Sequence, residues 1–234
     1  MNTSTKRQQL LDTGVMFAVR YFKDPQRSLK QGLGFLSPTE IADQVGCSRS
    51  LIYHLWAVDD ATDRGAAFEA YLGDVAEQMT RQLLPVDPVL DVIQTALATA
   101  DTLDELVRTV CELELQATVG GEMRALALTD LQLRTVSVDS TRVRESFRAV
   151  DDEQRKQLAE QYGALLAKFD RQLVPGLTLE HLARTLWTVS YGFVISTIIE
   201  PDESNTTVSL NGETWSLYAL SVRGVLSSFL LPST

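Results

Sequence analysis

Apolar residues in this chain recur at three- and four-residue steps, and almost every long segment carries that helical period rather than the alternation of a strand. The pattern predicts helices over roughly Lys6–Phe22, Pro38–Val45, Ser48–Trp56, Thr62–Leu84, Pro88–Ala100 and Thr102–Val119. It predicts more over Glu122–Val136, Thr141–Ala149, Glu153–Leu173, Leu179–Glu200 and Glu213–Leu231. Breaks fall at Gly32 and Gly34, Pro85, Gly120 and Gly121, Pro175 and Gly176, and the polar run 201–212. No repeat or low-complexity tract interrupts the series, so the expected fold class is all-α.

The segment Ser37–Trp56, SPTEIADQVGCSRSLIYHLW, is the most informative. Ser37, Pro38 and Glu40 form the signature of a capped helix start, with proline in the first turn and a glutamate three residues after the serine. Ile41 and Val45 then lie one turn apart on a face to be buried, with the small Ala42 beside them. Gly46 permits the left-handed backbone of a tight reversal, and Ser48 is placed to cap the next helix, whose inward stripe is Ile52 and Leu55. Together these positions fill a helix-turn-helix pattern, although a structural helical hairpin would also satisfy it.

The second helix of that pair would expose Ser48, Arg49, Ser50, Tyr53 and His54, a donor-rich set short enough to enter a major groove. Arg49 is expected to read a base. The others are expected to meet bases or phosphates, with Ser37 and Thr39 joining them from the start of the preceding helix. Tyr53 could instead pack against the first helix of the segment.

Charge supports a DNA role only once it is divided along the chain. Residues 1–56 carry seven basic and four acidic side chains, a net +3, which leaves −13 for the rest of a chain whose net charge is −10. A basic module can collect counterion-release energy locally while an acidic body stays off the duplex.

Cys47 and Cys111 lack the spacing of a zinc site or disulfide framework, and no apolar signal core follows the first methionine. The expectation is a cytoplasmic protein without metal. The uncharged stretch Thr185–Ile199 is shorter than a membrane span needs and reads as buried helix, so no membrane partner is expected. With only His54 and His181 available, and no P-loop, dinucleotide fingerprint, HExxH or GxSxG, neither catalytic residues nor a cofactor are expected. Glu112 and Glu114 in CELEL diverge around a helix, and Asp151, Asp152 and Glu153 read as a helix start.

Ile41-Ala42, Val45-Gly46-Cys47-Ser48 and Leu51-Ile52-Tyr53-His54-Leu55-Trp56 resemble the IA..AGVS...LY.HF pattern of the tetracycline-repressor (TetR) family of bacterial regulators. The segment EHLARTLWTVSYGF, ending at Phe193, looks more weakly like that family's penultimate helix. The resemblance implies a three-helix DNA-binding domain, placed at 1–60, joined to a helical ligand-binding and dimerisation domain at 61–234. It implies a homodimer bound to palindromic double-stranded DNA, released by a small-molecule effector and acting as a repressor. The apolar surplus near 179–200 and 213–231 suits pairing of those helices across a two-fold axis. Met123, Leu126, Phe147, Tyr162, Phe169, Trp187 and Tyr191 are candidate linings for a hydrophobic or amphipathic effector, although each could be plain core.

The chain departs from the family pattern in two places. The connection 23–35 is long and carries Lys23, Arg27 and Lys30, which could touch phosphate. Asp59 and Asp60 stand where the family has a phosphate-binding lysine, a contact that Arg64 could supply instead. Two rival readings remain: a regulator that has lost DNA binding and acts through protein contact, or a small helical enzyme.

Overall fold

The structure, a computed structural model, describes residues 3–23, 36–57, 63–83, 86–118, 121–136, 140–200 and 206–231. The side chains at 21–23, 83, 86–90, 117–118, 121–124 and 136 are not included. The helices are α1 (Thr3–Lys23), α2 (Pro38–Val45), α3 (Arg49–Leu55), α4 (Arg64–Leu83), α5 (Val86–Thr99), α6 (Leu103–Thr118), α7 (Gly121–Val136), α8 (Thr141–Lys168), α9 (Leu179–Ile199) and α10 (Leu217–Phe229). Between α9 and α10 lies an antiparallel pair, β1 (Thr207–Leu210) and β2 (Glu213–Ser216). The predominantly helical architecture agrees with the period of the sequence.

Two compact units form, one from Met1–Leu84 with Gly121–Asp151, the other from Pro85–Gly120 with Asp152–Thr234. In the first, α1 packs on α2, α4 and α7, and α3 rests on α2 and α4. Its interior includes Leu10, Ile41, Ile52, Tyr71, Val75, Met79, Leu133 and Val143. Tyr71 donates from its hydroxyl to the Leu10 carbonyl at 3.0 Å, and its ring lies against Gly14. A Cβ on Gly14 would stand 2.2 Å from that hydroxyl oxygen. Gly14→Ala should therefore cost about 1–3 kcal/mol, the usual penalty of an overpacked core, read as an earlier urea midpoint.

The second unit is built on α6, α9 and α10, with Leu106, Cys111, Leu165, Leu182, Leu186, Tyr218 and Leu226 in its core. Trp215 of β2 is also buried there, with the guanidinium groups of Arg108 and Arg223 at 5.4 and 5.2 Å from its ring. Arg108 pairs with Glu213, and Arg223 with Asp104.

Three local readings of the sequence are corrected. Residues 213–216 form a strand, not the start of the last helix. TVSL and ETWS alternate around Asn211-Gly212, whose φ angles of 55° and 83° make the two-residue reversal that favours a hairpin. The predicted break between Ala149 and Glu153 is absent, because Val150 is fully buried and Asp151 is held by Arg134, so one helix of 28 residues runs to Lys168. It stops there because Asp170 turns left-handed and the Arg171 amide bonds back to the Leu166 carbonyl. Finally, α9 is not a buried helix in this chain: Leu182, Ala183, Leu186 and Thr197 face inward, whereas Ile199 is 68% exposed. Among the described helices of at least 18 residues, α9 is the one long and apolar enough to cross a membrane.

Candidate nucleic-acid interface and interior cavity

Local chemistry fixes the α2–α3 corner. Ser37 accepts from the Glu40 amide at 3.5 Å, Pro38 occupies the first turn, and Gly46 closes α2 at φ 66°, ψ 46°. The Cys47 amide returns to the Ala42 carbonyl at 2.9 Å, and the Lys6 ammonium on α1 donates to the Val45 carbonyl at 3.0 Å. A cation thus sits at the negative end of α2, where the helix dipole favours it. Burial and Asp43 raise the pKa of the nearby Cys47 thiol more than Lys6 lowers it, keeping it protonated.

Ser48 holds the cap position of α3 with extended backbone angles, but its side chain does not cap; its hydroxyl bonds the Ser50 hydroxyl at 2.8 Å. Both hydroxyls therefore remain at the surface, beside the first α3 amides. Ile52 is fully buried and anchors the opposite face of the helix. Trp56 closes its far end, donating through Nε1 to Asp74 at 2.8 Å with its ring edge-on to Tyr71. Arg7 also pairs with Asp74 and lies 5.1 Å from the Trp56 ring.

With that anchoring, Thr39, Ser48, Arg49, Ser50 and His54 are exposed, and Ser37 is half-buried at the start of α2. Tyr53 is half-buried, with the Arg64 guanidinium 5.8 Å from its ring centre. Arg64 itself is exposed at the first turn of α4, which Asp63 caps by accepting from the Gly65 and Ala66 amides. The seven residues thus share the α2–α3 corner, and sequence reasoning did not foresee the Tyr53–Arg64 stack. Asp59 and Asp60, and the connection from 24 to 35 with Arg27 and Lys30, lie outside the described residues.

The second unit holds a cavity of about 60 Å³. Its walls are mostly apolar, including Ile93 of α5, Leu106 and Val110 of α6, Leu165 of α8, Leu182 of α9 and Val222 of α10. Polar groups interrupt them at Cys111, Glu114, Tyr162, Ser190 and Tyr218. The Tyr218 hydroxyl donates to Glu114 and lies 2.5 Å from the Ser190 hydroxyl. With the tyrosine proton on the carboxylate, Ser190 is the donor in that second bond. Burial raises the pKa of Glu114, an effect its bond from Tyr218 opposes. Burial, with Glu114 adding to it, also raises Cys111, Tyr162 and Tyr218 far enough to keep all three protonated at neutral pH.

Of the seven candidate effector contacts, Tyr162 lines this cavity. Phe169 packs on the same core without lining the cavity, and Trp187 and Tyr191 are half-buried elsewhere on α9. Leu126 and Phe147 are buried in the first unit, where Arg134 lies 4.3 Å from the Phe147 ring. Met123 is on α7, but its side chain lies outside those described. The sequence reading missed Glu114, Ser190 and Tyr218. Glu114 was detectable, since it continues the apolar spacing Val107, Val110, Cys111 by one more turn of α6. The His181 Nδ1 accepts from the Thr178 amide and completes a capping box for α9. Among the described residues, no cluster of three or more His, Cys, Asp or Glu could hold a metal.

No family model and no curated protein sequence matches the chain. Solved structures do. One is a protein from Mesorhizobium loti MAFF303099 assigned to the TetR family of transcriptional regulators, with a TM-score of 0.59 and 14% identity over 99% of this chain and 100% of that one. Another is NalD, the secondary repressor of the MexAB-OprM multidrug efflux pump in Pseudomonas aeruginosa, with a TM-score of 0.48 and 14% identity over 98% and 100%. On the first of these likenesses, reaching from end to end at low identity, the chain has the all-helical fold of a TetR-family structure.

Proposed function

We infer that the protein is a homodimeric, ligand-responsive regulator of transcription that binds palindromic double-stranded DNA in the cytoplasm and acts as a repressor. One observation carries the reading: α3 is pinned by buried Ile52 and Trp56 while Ser48, Arg49, Ser50 and His54 stand exposed around its first turns. A helix held from behind with a polar N-terminal tip is the geometry that enters a major groove. Arg49 can fork onto guanine, the hydroxyls of Thr39, Ser48 and Ser50 suit phosphate or base edges, and Arg64 offers a cation where Asp59 and Asp60 cannot. The DNA-binding part is placed at 1–60 and the effector-binding and dimerising part at 61–234.

Dimerisation through α9 and α10 is supported by their uncovered apolar surface. Trp187, Val194 and Ile198 are only half-buried, Ile199 and Leu217 are exposed, and nothing stands within 4 Å of a Cβ placed on Gly192 or Gly224. Small residues of this kind allow a second helix pair to approach closely. Effector binding in the α6–α10 cavity would lower DNA affinity by favouring a dimer state whose two α3 helices mismatch successive grooves.

Selection from a random duplex library with the full chain tests the assignment. The expected result is enrichment of a symmetric site whose halves are centred about one helical turn, roughly 34 Å, apart. Recovery of no enriched sequence at low salt would refute it.

A further inference from the structure

The hairpin between α9 and α10 forms part of a second, larger hollow. Its register sets Thr207 opposite Ser216 and Ser209 opposite Thr214, so strand alternation gathers these four hydroxyl side chains on one face, while Trp215 leaves from the other and is buried. Thr207, Thr214 and Ser216 line a cleft of about 590 Å³ that they share with Arg108, Glu112 and Gln116 of α6. That volume lies within the roughly 300–1,000 Å³ of small-molecule sites, which the interior cavity of about 60 Å³ does not reach.

The charges in this cleft are arranged unusually. Arg108 and Glu112 stand one turn apart on α6, the spacing at which opposite charges on a helix ordinarily pair with each other. Here Arg108 turns instead to Glu213, donating through Nη2 at 2.8 Å, and its guanidinium lies 5.4 Å from the Trp215 ring centre. A guanidinium has several N–H donors; Nε of Arg108 is buried with no acceptor, and the bond to Glu213 leaves the Nη1 side for a ligand. Glu112 is exposed and accepts from the Gln116 amide at 3.4 Å, long for a hydrogen bond. A cation and an anion therefore line the same cleft without neutralising each other, and the hairpin hydroxyls beside them can both donate and accept.

The geometry points to a short zwitterionic peptide as the occupant, its carboxylate on Arg108, its ammonium on Glu112 and its peptide group against Gln116 and the hydroxyls of Thr207 and Thr214. Spacing favours a dipeptide over a single amino acid. Side chains one helical turn apart start about 5–6 Å from each other. Two residues of extended chain reach about 6–7 Å, whereas the charged groups of one amino acid are separated by a single carbon. Purely anionic or purely cationic molecules would satisfy one end and leave the other charge unanswered. The site is separate from the interior cavity, and the assignment holds whether or not the protein binds DNA.

Calorimetric titration of the full-length chain with alanylserine, its N-acetyl derivative, its C-terminal amide and the doubly blocked form tests the assignment. The zwitterion should bind tightest, and each block should weaken binding about tenfold or more, the factor expected when a charge-assisted hydrogen bond is lost. Glu112→Gln should make the free and N-acetylated peptides bind alike while keeping the preference for a free carboxylate. Its melting temperature should match the parent's, because Glu112 is exposed and takes one long bond. Arg108 also holds Glu213 and Trp215, so the carboxylate end is tested on the ligand rather than by substitution. Thr214→Trp, a bulky residue at an exposed strand position that suits aromatic side chains, should fill the cleft and weaken all four ligands. Absence of binding at millimolar peptide, equal binding of zwitterion and doubly blocked form, an ammonium preference that survives in Glu112→Gln, or undiminished binding by Thr214→Trp would each overturn the assignment.

Discussion

Alanine at both Arg49 and Tyr53 should abolish sequence-selective DNA binding without unfolding the protein. Arg49 is exposed and takes no part in the anchoring of α3, which depends on Ile52 and Trp56. A bidentate arginine–guanine contact discriminates by about 1–3 kcal/mol, and a symmetric dimer makes each contact twice. Arg49→Ala alone should then cost roughly 30-fold or more on the selected site, with little loss on random DNA. Removing the Tyr53 ring also frees the Arg64 guanidinium that lies over it. Arg64→Ala should behave differently, weakening all sequences alike and lowering the salt slope by about one per protomer, as a phosphate contact does. Anisotropy titrations of specific and random duplexes at several salt concentrations separate these outcomes. Undiminished discrimination in the double variant would remove α3 as the reading element.

The same corner explains why sequence was so informative there and less so elsewhere. Ser37, Pro38, Glu40 and Gly46 act on backbone within a few residues of themselves, so their spacing specifies the corner with no knowledge of the rest of the chain. The Asn211-Gly212 hairpin is equally local, and the alternation of TVSL and ETWS was legible. It was overridden by the apolar period that follows from Leu217, which drew the helix boundary forward to Glu213. The break predicted near Asp151 failed for a non-local reason: three consecutive acids favour a helix start in isolation, but Arg134 on another helix accommodates the first of them. Glu114 lies between these cases. Its place on the inward stripe of α6 could be counted off in sequence, whereas Ser190 and Tyr218 are brought to it by α9 and α10, which no local pattern encodes.

Arg134→Ala should be the most destabilising single change in the first unit, at about 3–5 kcal/mol, because it leaves a buried charge without its principal counter-ion. Asp130 is fully buried one turn before it on α7, accepting from Arg134 Nε at 2.7 Å and from the Thr80 hydroxyl at 2.9 Å. The two remaining guanidinium nitrogens donate to the two oxygens of Asp151 at 2.9 Å each, and the plane lies over Phe147. Burial alone would lower the pKa of Arg134, but Asp151 and Asp130 raise it beyond the ordinary value, so the arginine stays charged at any pH the fold survives. Lysine supplies the charge without the planar fork and should recover only part of the loss. An Asp130→Leu, Arg134→Met pair should lose less than the two single changes sum to, since the Asp130 carboxylate is no longer left buried opposite a missing arginine. Urea denaturation of the parent, these variants and the two single changes measures this directly. If Arg134→Ala unfolded at the parental midpoint, the network would contribute nothing. If it unfolded early, α4, α7 and α8 would be shown to depend on it. Because α4 also supplies Asp74 to Trp56 behind α3, the variant should then lose DNA binding at temperatures where the parent retains it.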